Sequence, residues 1–390
     1  MKRARFSSSA ALSNLISSAA AVLIGLLFGL VVLLLCDSSQ AFPAIRTLIS
    51  GGFGLAGFPK TMARICYYAV PMIVCGLSVS FAFKTGTLNL GASGQYTAGA
   101  FAAVCAATYL HPFLGSSTWI VGVAAGALAG GLIALIPGVL NAFRNVNIII
   151  GCIMMNYIAT YGVSLLLKNS KALYDATNSQ NVAIPKEAVL PKWGLDALFP
   201  SSGAGANAGI IIAIFMGVLI YFVIRKTTFG FELKLCGYNR HAARYAGVNE
   251  KRSIILAMAI SGALSGLAGA LVHLSSTTNH IFVTDTISGV GFTGIAVALL
   301  GMTNPLGVIV SGALVAYLQV GGVNLQIYGF SSELIDIILA VIIYSCAFSQ
   351  MIGGRVRALF LHSDGAHSSK SSGEKEERAL DARGAEGSRK

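Results

Sequence analysis

The sequence predicts an all-α, polytopic membrane protein of about ten spans, with the N-terminus and C-terminus both cytoplasmic. Three observations predict it. Of 390 residues, 55% are hydrophobic and only 11% charged, where soluble domains carry roughly 25% charged residues. The apolar residues gather in runs long enough to cross about 30 Å of hydrocarbon. The basic residues stand in the gaps between those runs and at the ends. A formal net charge of +12 therefore reflects topology rather than affinity for nucleic acid.

Taken in order, the expected spans are 15–35, 65–83, 91–109, 119–139, 148–167, 207–224, 253–274, 288–301, 306–323 and 333–350. The first follows MKRARF and runs about 21 residues, longer than the roughly 7–15 of a secretory signal, so it is expected to stay as an uncleaved span. The eighth is the shortest. With the N-terminus inside, twenty of the 27 Lys and Arg fall on the cytoplasmic side, and the outer seven lie mainly in segments 36–64 and 168–206. Those two segments are too long for bare turns and are expected to form small caps. Trp119 at an outer boundary fits an aromatic belt. One membrane domain is expected over 1–362, followed by a cytoplasmic tail at 363–390. The tail, rich in Ser and Gly with six basic and six acidic residues, is expected to be disordered.

Spacing of small residues predicts which helices touch. Gly25 and Gly29, Gly122, Gly126 and Gly130, and Gly262 and Gly266 with Ser265 and Gly269 repeat at intervals of four or nearly so. Small residues at that interval let helix backbones approach closely, which matters where lipid supplies no hydrophobic drive for association. Cys66, Cys75, Cys105, Cys152 and Cys346 lie inside apolar runs, and no CxxC pair exists, so they read as small apolar residues rather than zinc ligands or disulfides.

The chain carries no phosphate loop: GLAGFPKT at 54–61 lacks the glycine ahead of Lys60. HExxH, GxSxG and paired catalytic carboxylates are missing too. No metal is expected, and His111, His273 and His280 read as satisfied or solvated. Glu333 and Asp336, at the entrance of the last span, are almost the whole intramembrane charge. Proton-coupled carriers place carboxylates deep in the bundle, so the scarcity suggests a neutral substrate and an external energy source.

Two stretches stand out. In 81–95, FAFKTGTLNLGASGQ, Gly86, Gly91 and Gly94 interrupt helix propensity around Asn89, while Ser93 and Gln95 can satisfy the backbone groups that a break releases. That break reads equally as a simple turn or as a hinge near a pathway. In 225–252, seven Lys and Arg form a long polar loop between apolar spans. Such a loop must be cytoplasmic and is where a soluble partner would grip.

These residues carry a family resemblance. Phe83, Gly86, Leu88, Asn89, Gly91, Gly94 and Gln95 satisfy FxxGxLN[IL]GxxGQ. MNYIA at 155–159, GxNxxAARYAG at 237–247, SGALSGLAGA at 261–270 and GFTGIAVALLGMTNPLG at 291–307 follow in the same order. The pattern, over about 65–345, resembles inner-membrane permeases of nucleoside and simple-sugar ABC importers, with LNLGASGQ and MNYIA similar to the nucleoside branch. Ser93 stands where the family commonly has an acidic residue, Arg240-His241 where a proline is usual, and Asn145 to Ile148 replace a glutamate-bearing segment.

The resemblance implies a transport subunit rather than an enzyme, located in the inner (plasma) membrane. It binds no cofactor itself, because ATP belongs to a cytoplasmic ABC ATPase. A second permease, identical or different, completes the pore, and an extracytoplasmic binding protein delivers the substrate. ATPase coupling falls to Gly237, Asn239, Arg240, Ala242, Ala243, Arg244 and Gly247. These lie around a short helical piece, Tyr238 to Ala246, whose Arg240 and Arg244 can pair with acidic groups and whose Ala242, Ala243 and Ala246 form a small face. Pathway or gating roles fall to Gly86, Asn89, Gly91, Gly94, Gln95, Asn156, Tyr157 and Phe292, amides suited to ribose hydroxyls or base edges and rings suited to stacking. Purine nucleosides are the expected substrates. The alternatives are a simple sugar such as ribose or galactose and, in other classes, a proton-coupled secondary transporter or a membrane enzyme.

Overall fold

A computed structural model describes residues 23–345, apart from 52, 54–56, 200–204, 278–279, 285, 332, 335, 339, 342 and 343. The beginning of the first expected span, the end of the last, Cys346 and the expected tail lie outside the described residues. Six helical stretches are long and apolar enough to cross a membrane. One of them, 92–144, is a hairpin: Gly115, at φ +53, reverses the chain, so that Gly122 packs on Ala103 and Gly126 on Gly99.

We number the helices in chain order: α1 Leu23–Cys36, α2 Ala41–Ile49, α3 Phe58–Phe83, α4 Ala92–Leu114, α5 Thr118–Arg144 and α6 Ile148–Asn169. After the outer segment come α7 Gly209–Lys226, α8 Thr228–Tyr238, α9 Arg240–Tyr245, α10 Glu250–His273, α11 Val290–Leu300 and α12 Pro305–Val323. Helical residues recur between 333 and 345.

The centre of the fold is the contact of α10 with α4 and α5, built on glycine. A Cβ on Gly266 would strike the Gly126 carbonyl, one on Gly99 the Gly266 carbonyl, and one on Gly130 the Gly262 carbonyl. A Cβ on Gly269 would strike the carbonyl of Tyr96. Each such glycine costs about 1 kcal/mol of helix propensity against alanine. The backbone-to-backbone approach offsets this through dispersion contacts that a side chain would prevent. The spacing Gly122, Gly126, Gly130 and Gly262, Gly266, Gly269 is thus the seam itself. Gly25 and Gly29 are buried as well, with Gly29 against Ile338. The other side of the bundle forms on α3, where Gly76 meets Val297 and Val308, Gly294 meets Cys75, and Gly312 meets Ile73.

Over its described residues the segment 168–206 packs as a cap on one end of the bundle. Strands β1 Tyr174–Asp175 and β2 Gln180–Asn181 pair antiparallel, and the Leu190 amide donates to the Leu274 carbonyl at 2.8 Å. Val283 donates to Ser179 at 2.9 Å, so the cap is tied to the connection between α10 and α11. Trp119 and Trp193 meet edge to face at 5.9 Å.

The expected span 288–301 is only half a span. Helix α11 has 11 residues, about 16 Å of rise. It starts where Gly291 rests on Ser93 inside the bundle and stops at Met302 and Thr303, both in left-handed backbone at φ 54 and 52. Residues 280–289 before it are almost without helix. The run of apolar residues there records burial among neighbours rather than a full-length helix.

The seam can be tested by substitution. Gly126→Val or Gly262→Val should lower the thermal midpoint of the detergent-solubilised protein, with a loss of roughly 1–3 kcal/mol or more from overpacking. Gly162→Ala, whose added Cβ meets nothing within 4 Å, should hold the midpoint or raise it through the gain in helix propensity.

Candidate functional site

Helix α3 ends at Phe83, and the chain re-enters helix only at Ala92. Between them Gly86 turns the backbone at φ +70, and the Thr85 and Thr87 hydroxyls both donate to the carbonyl of Ala82, at 2.8 and 3.1 Å, beside the Thr85 amide at 3.0 Å. The segment then runs back into the bundle to Asn89, whose side chain lies beside Ser78 and Ser261. Ser261 stands about 16 Å along α10 from its start, close to the middle of a hydrocarbon core. The break is therefore deep.

Asn89 is fully buried, and its hydrogen-bonding capacity is used in full. Its Oδ1 accepts from the Gly91 amide and from Gln95 Nε2, each at 3.0 Å. Its Nδ2 donates to Gln95 Oε1 at 2.8 Å and to Ser261 Oγ at 2.7 Å. Ser261 in turn donates to the Ser78 carbonyl at 2.8 Å, and Ser265 donates to Ser78 Oγ at 2.7 Å. Asn156 clamps the same break from α6, accepting from the Gly94 amide and donating to the Leu90 carbonyl, both at 2.8 Å. Asn89, Gln95 and Asn156 thus come together with Gly91 and Gly94 as one lock. A solute could reach these amides only by displacing their present partners.

Tyr157 and Phe292 are placed elsewhere. Both are about half exposed, Tyr157 stacked on Tyr161 at 6.2 Å on the surface of α6 and Phe292 at the start of α11. Both rings are open to a partner or to a solute.

Above the lock lies a cavity of about 290 Å³, at the lower end of the roughly 300–1,000 Å³ usual for small-molecule sites. Helix α4 contributes Tyr96 and Thr97, α6 contributes Thr160 and Ser164, and α10 contributes His273. The connection to α11 adds His280, Phe282 and Ser288. Two helix starts meet beneath it, because α4 and α11 both begin at this depth, Ser93 against Gly291. His273 and His280 each turn Nδ1 to a backbone carbonyl, of Gly269 at 3.0 Å and of Asn181 at 3.3 Å, which places the proton on Nδ1 and leaves Nε2 an acceptor. The Thr160 Oγ1 is buried without a hydrogen-bond partner among the described residues. Sequence reasoning had no route to this set. Thr97, Thr160 and Ser164 are single polar residues within apolar runs, and the two histidines gain a common cavity only through the fold of 274–289.

At the other end of α10, α8 and α9 form the polar loop. Asn239 breaks the helix in extended backbone at φ −160, and its side chain caps α9 by accepting from the Ala242 amide at 3.1 Å. The helical piece is therefore Arg240–Tyr245, and Tyr238 belongs to the helix before it. Gly247, at φ +81, closes α9: its amide donates to Arg244 and that of Val248 to Ala243, at 3.1 and 3.0 Å, the paired bonds of a Schellman cap. Ala243 is buried against the chain's own bundle, whereas Ala242, Arg244 and Ala246 are exposed and Arg240 partly so. Tyr238 and Tyr245, at 88% and 94% exposure, flank this helix. An aromatic ring inside a basic, hydrophilic loop was the signal that could have found them. Gly237 does not break a helix but lets α8 lie backbone to backbone on the Lys84 carbonyl and Gly86. The loop thus touches the turn that leads directly to Asn89.

A multi-pass helical bundle whose broken helices meet beneath a polar cavity is the architecture of a membrane permease. The chain belongs to the branched-chain amino acid transport system / permease component family, whose pattern matches residues 61–347. It is 37% identical to the guanosine ABC transporter permease NupP of Bacillus subtilis (strain 168), over 87% of this chain and 95% of that one. It is 30% identical to the nucleoside ABC transporter permease NupB of Lactococcus lactis subsp. cremoris, over 85% and 90% of the two chains. It is also 31% identical to the glucose ABC transporter permease TsgB13 of Haloferax volcanii, over 72% and 74%. The protein is accordingly a multi-pass transport subunit in the membrane, not an enzyme.

The lock has a specific signature. Asn89→Ala leaves the Gln95 amide and the Gly91 N–H without partners, so the loss of stability should be about 1–3 kcal/mol. The double variant Asn89→Ala/Gln95→Ala should cost less than the sum of the two single changes, read from denaturation in detergent.

Proposed function

We propose that this chain is the membrane-spanning subunit of an ABC importer that moves nucleosides, purine nucleosides foremost, into the cell. The observation that carries the reading is the chemistry of the cavity above the helix break. Hydroxyls of Tyr96, Thr97, Thr160 and Ser164 can meet ribose hydroxyls, the two imidazole Nε2 atoms can accept from a base edge, and Phe282 at the mouth can stack on a base. The names of the guanosine and nucleoside relatives support the same substrate class.

In this reading the chain crosses the membrane about ten times with both ends in the cytoplasm. The ATPase seats on α9, reading Arg240 and Arg244 with Tyr238 and Tyr245, since Arg and Tyr are the residues that dominate interface energetics. Its motion passes through Gly237 to Gly86 and so to the Asn89–Gln95–Asn156 lock, whose role is gating rather than solute recognition. Tyr157 on α6 and Phe292 on α11 face the second permease or the pore between the two. An extracytoplasmic binding protein delivers to the cap formed by 168–206. ATP stays on the partner, and this chain binds no cofactor.

The test is uptake by vesicles holding the complete transporter with its ATPase and binding protein. Guanosine and adenosine should be taken up and should compete with one another, with ribose and galactose ineffective; uptake of ribose or galactose with no competition by nucleosides would transfer the assignment to a sugar. A protonophore at constant ATP should leave uptake intact, and immediate loss would point to a proton-coupled carrier. Arg244→Glu should abolish uptake while the protein remains inserted. Undiminished uptake would remove α9 from the coupling path.

A further inference from the structure

A second cavity, about 270 Å³, lies at the end of the bundle where α8 meets the turn after α3. Three cations converge on it from three separate elements: Lys84 from the turn, Arg225 from the end of α7, and Lys234 from α8. Among the described residues no carboxylate pairs with any of them, and the His111–Glu187 pair is elsewhere. Lys84 gives only a hydrogen bond to Thr303 Oγ1 at 3.0 Å, and Arg225 only a cation–π contact over Tyr221 at 5.3 Å. Burial, and after it the charges of Lys234 and Arg225, hold the Lys84 ammonium below its usual pKa. Three like charges gathered without a counter-charge are unfavourable until an anion enters. Asn304 and Pro305 on the same wall open the 19-residue helix α12, whose first turn adds a partial positive charge.

The surroundings say which anion. One turn before Arg225, Phe222 is exposed, and beside Pro305 and one turn further along α12, Leu306 and Val310 are exposed, Val310 at 70%. A basic pocket thus opens at the edge of an apolar surface made by the two spans α7 and α12. We propose that this cavity binds the phosphate headgroup of an anionic phospholipid, with its acyl chains lying along Phe222, Leu306 and Val310. Basic pockets between helices at the cytoplasmic surface suit such headgroups, and arginine supplies a planar fork for phosphate oxygens. The leaflet follows from the proposed orientation, in which 225–252 is cytoplasmic. The binding itself does not depend on the transported solute.

The experiment is native mass spectrometry of the full-length protein in detergent, with phosphatidylglycerol, cardiolipin or phosphatidylethanolamine added at equal concentration. The wild-type chain should retain the two anionic lipids with a preference of about tenfold or more over the zwitterionic one. Arg225→Gln/Lys234→Gln should lose that preference, and Lys251→Gln/Arg252→Gln, which removes the same charge from the same loop, should keep it. Equal retention of all three lipids by the wild type would overturn the proposal without any variant. Loss of preference in both double variants would also overturn it, because bulk charge would then be the cause. Displacement of bound lipid by millimolar inorganic phosphate would assign the cavity to a soluble anion instead. None of these outcomes depends on uptake, so failure of the nucleoside assignment would leave them unchanged.

Discussion

A peptide group without a hydrogen-bond partner costs several kcal/mol in hydrocarbon, and this chain nevertheless abandons helix for eight residues that run from the end of the bundle into its interior. Everything around 84–91 follows from that constraint. Side-chain hydroxyls of Thr85 and Thr87 take over a carbonyl. Asn156 serves one amide and one carbonyl from a neighbouring helix. Asn89 and Gln95 hold each other and bridge to the serines of α3 and α10. Such a network is costly if half satisfied and rigid if complete. Here it holds the start of α4 in place, and with it one wall of the cavity.

The glycine seam supplies the complementary rigidity. Where backbones touch, no side chain can rotate to absorb a displacement, so α4, α5 and α10 behave as a single block. The contact of Gly237 with Lys84 and Gly86 is of the same kind. No side chain stands there between α8 and the 84–91 segment. The molecule separates a stiff frame from one short irregular path, and that path runs from the 225–252 loop to the cavity.

Much of this was legible in the sequence, for identifiable reasons. Gly122, Gly126, Gly130, Gly262, Gly266 and Gly269 announce their partners because a four-residue interval keeps them on one helix face. The basic loop and the glycines of 81–95 show because charge and helix-breaking residues are rare in a chain this apolar. What stayed hidden was relational. Nothing local pairs Asn89 with Gln95 rather than with a solute, or shows that Ala243 faces inward while Ala242 faces out. The half-length of α11 was masked because residues buried among protein neighbours are as apolar as those facing lipid. Lys84, Arg225 and Lys234 lie up to 150 positions apart in sequence, and each alone reads as an ordinary boundary charge.

The cavity has two unlike walls. On one side it is bounded by the locked helix break, and on the other by the connection between α10 and α11 with the β1–β2 cap bonded to it. Helices pressed together at their backbones accept few substitutions, whereas surface connections vary and lengthen readily. A substitution in the connection wall can therefore reshape the chamber while the glycine-packed frame keeps its geometry.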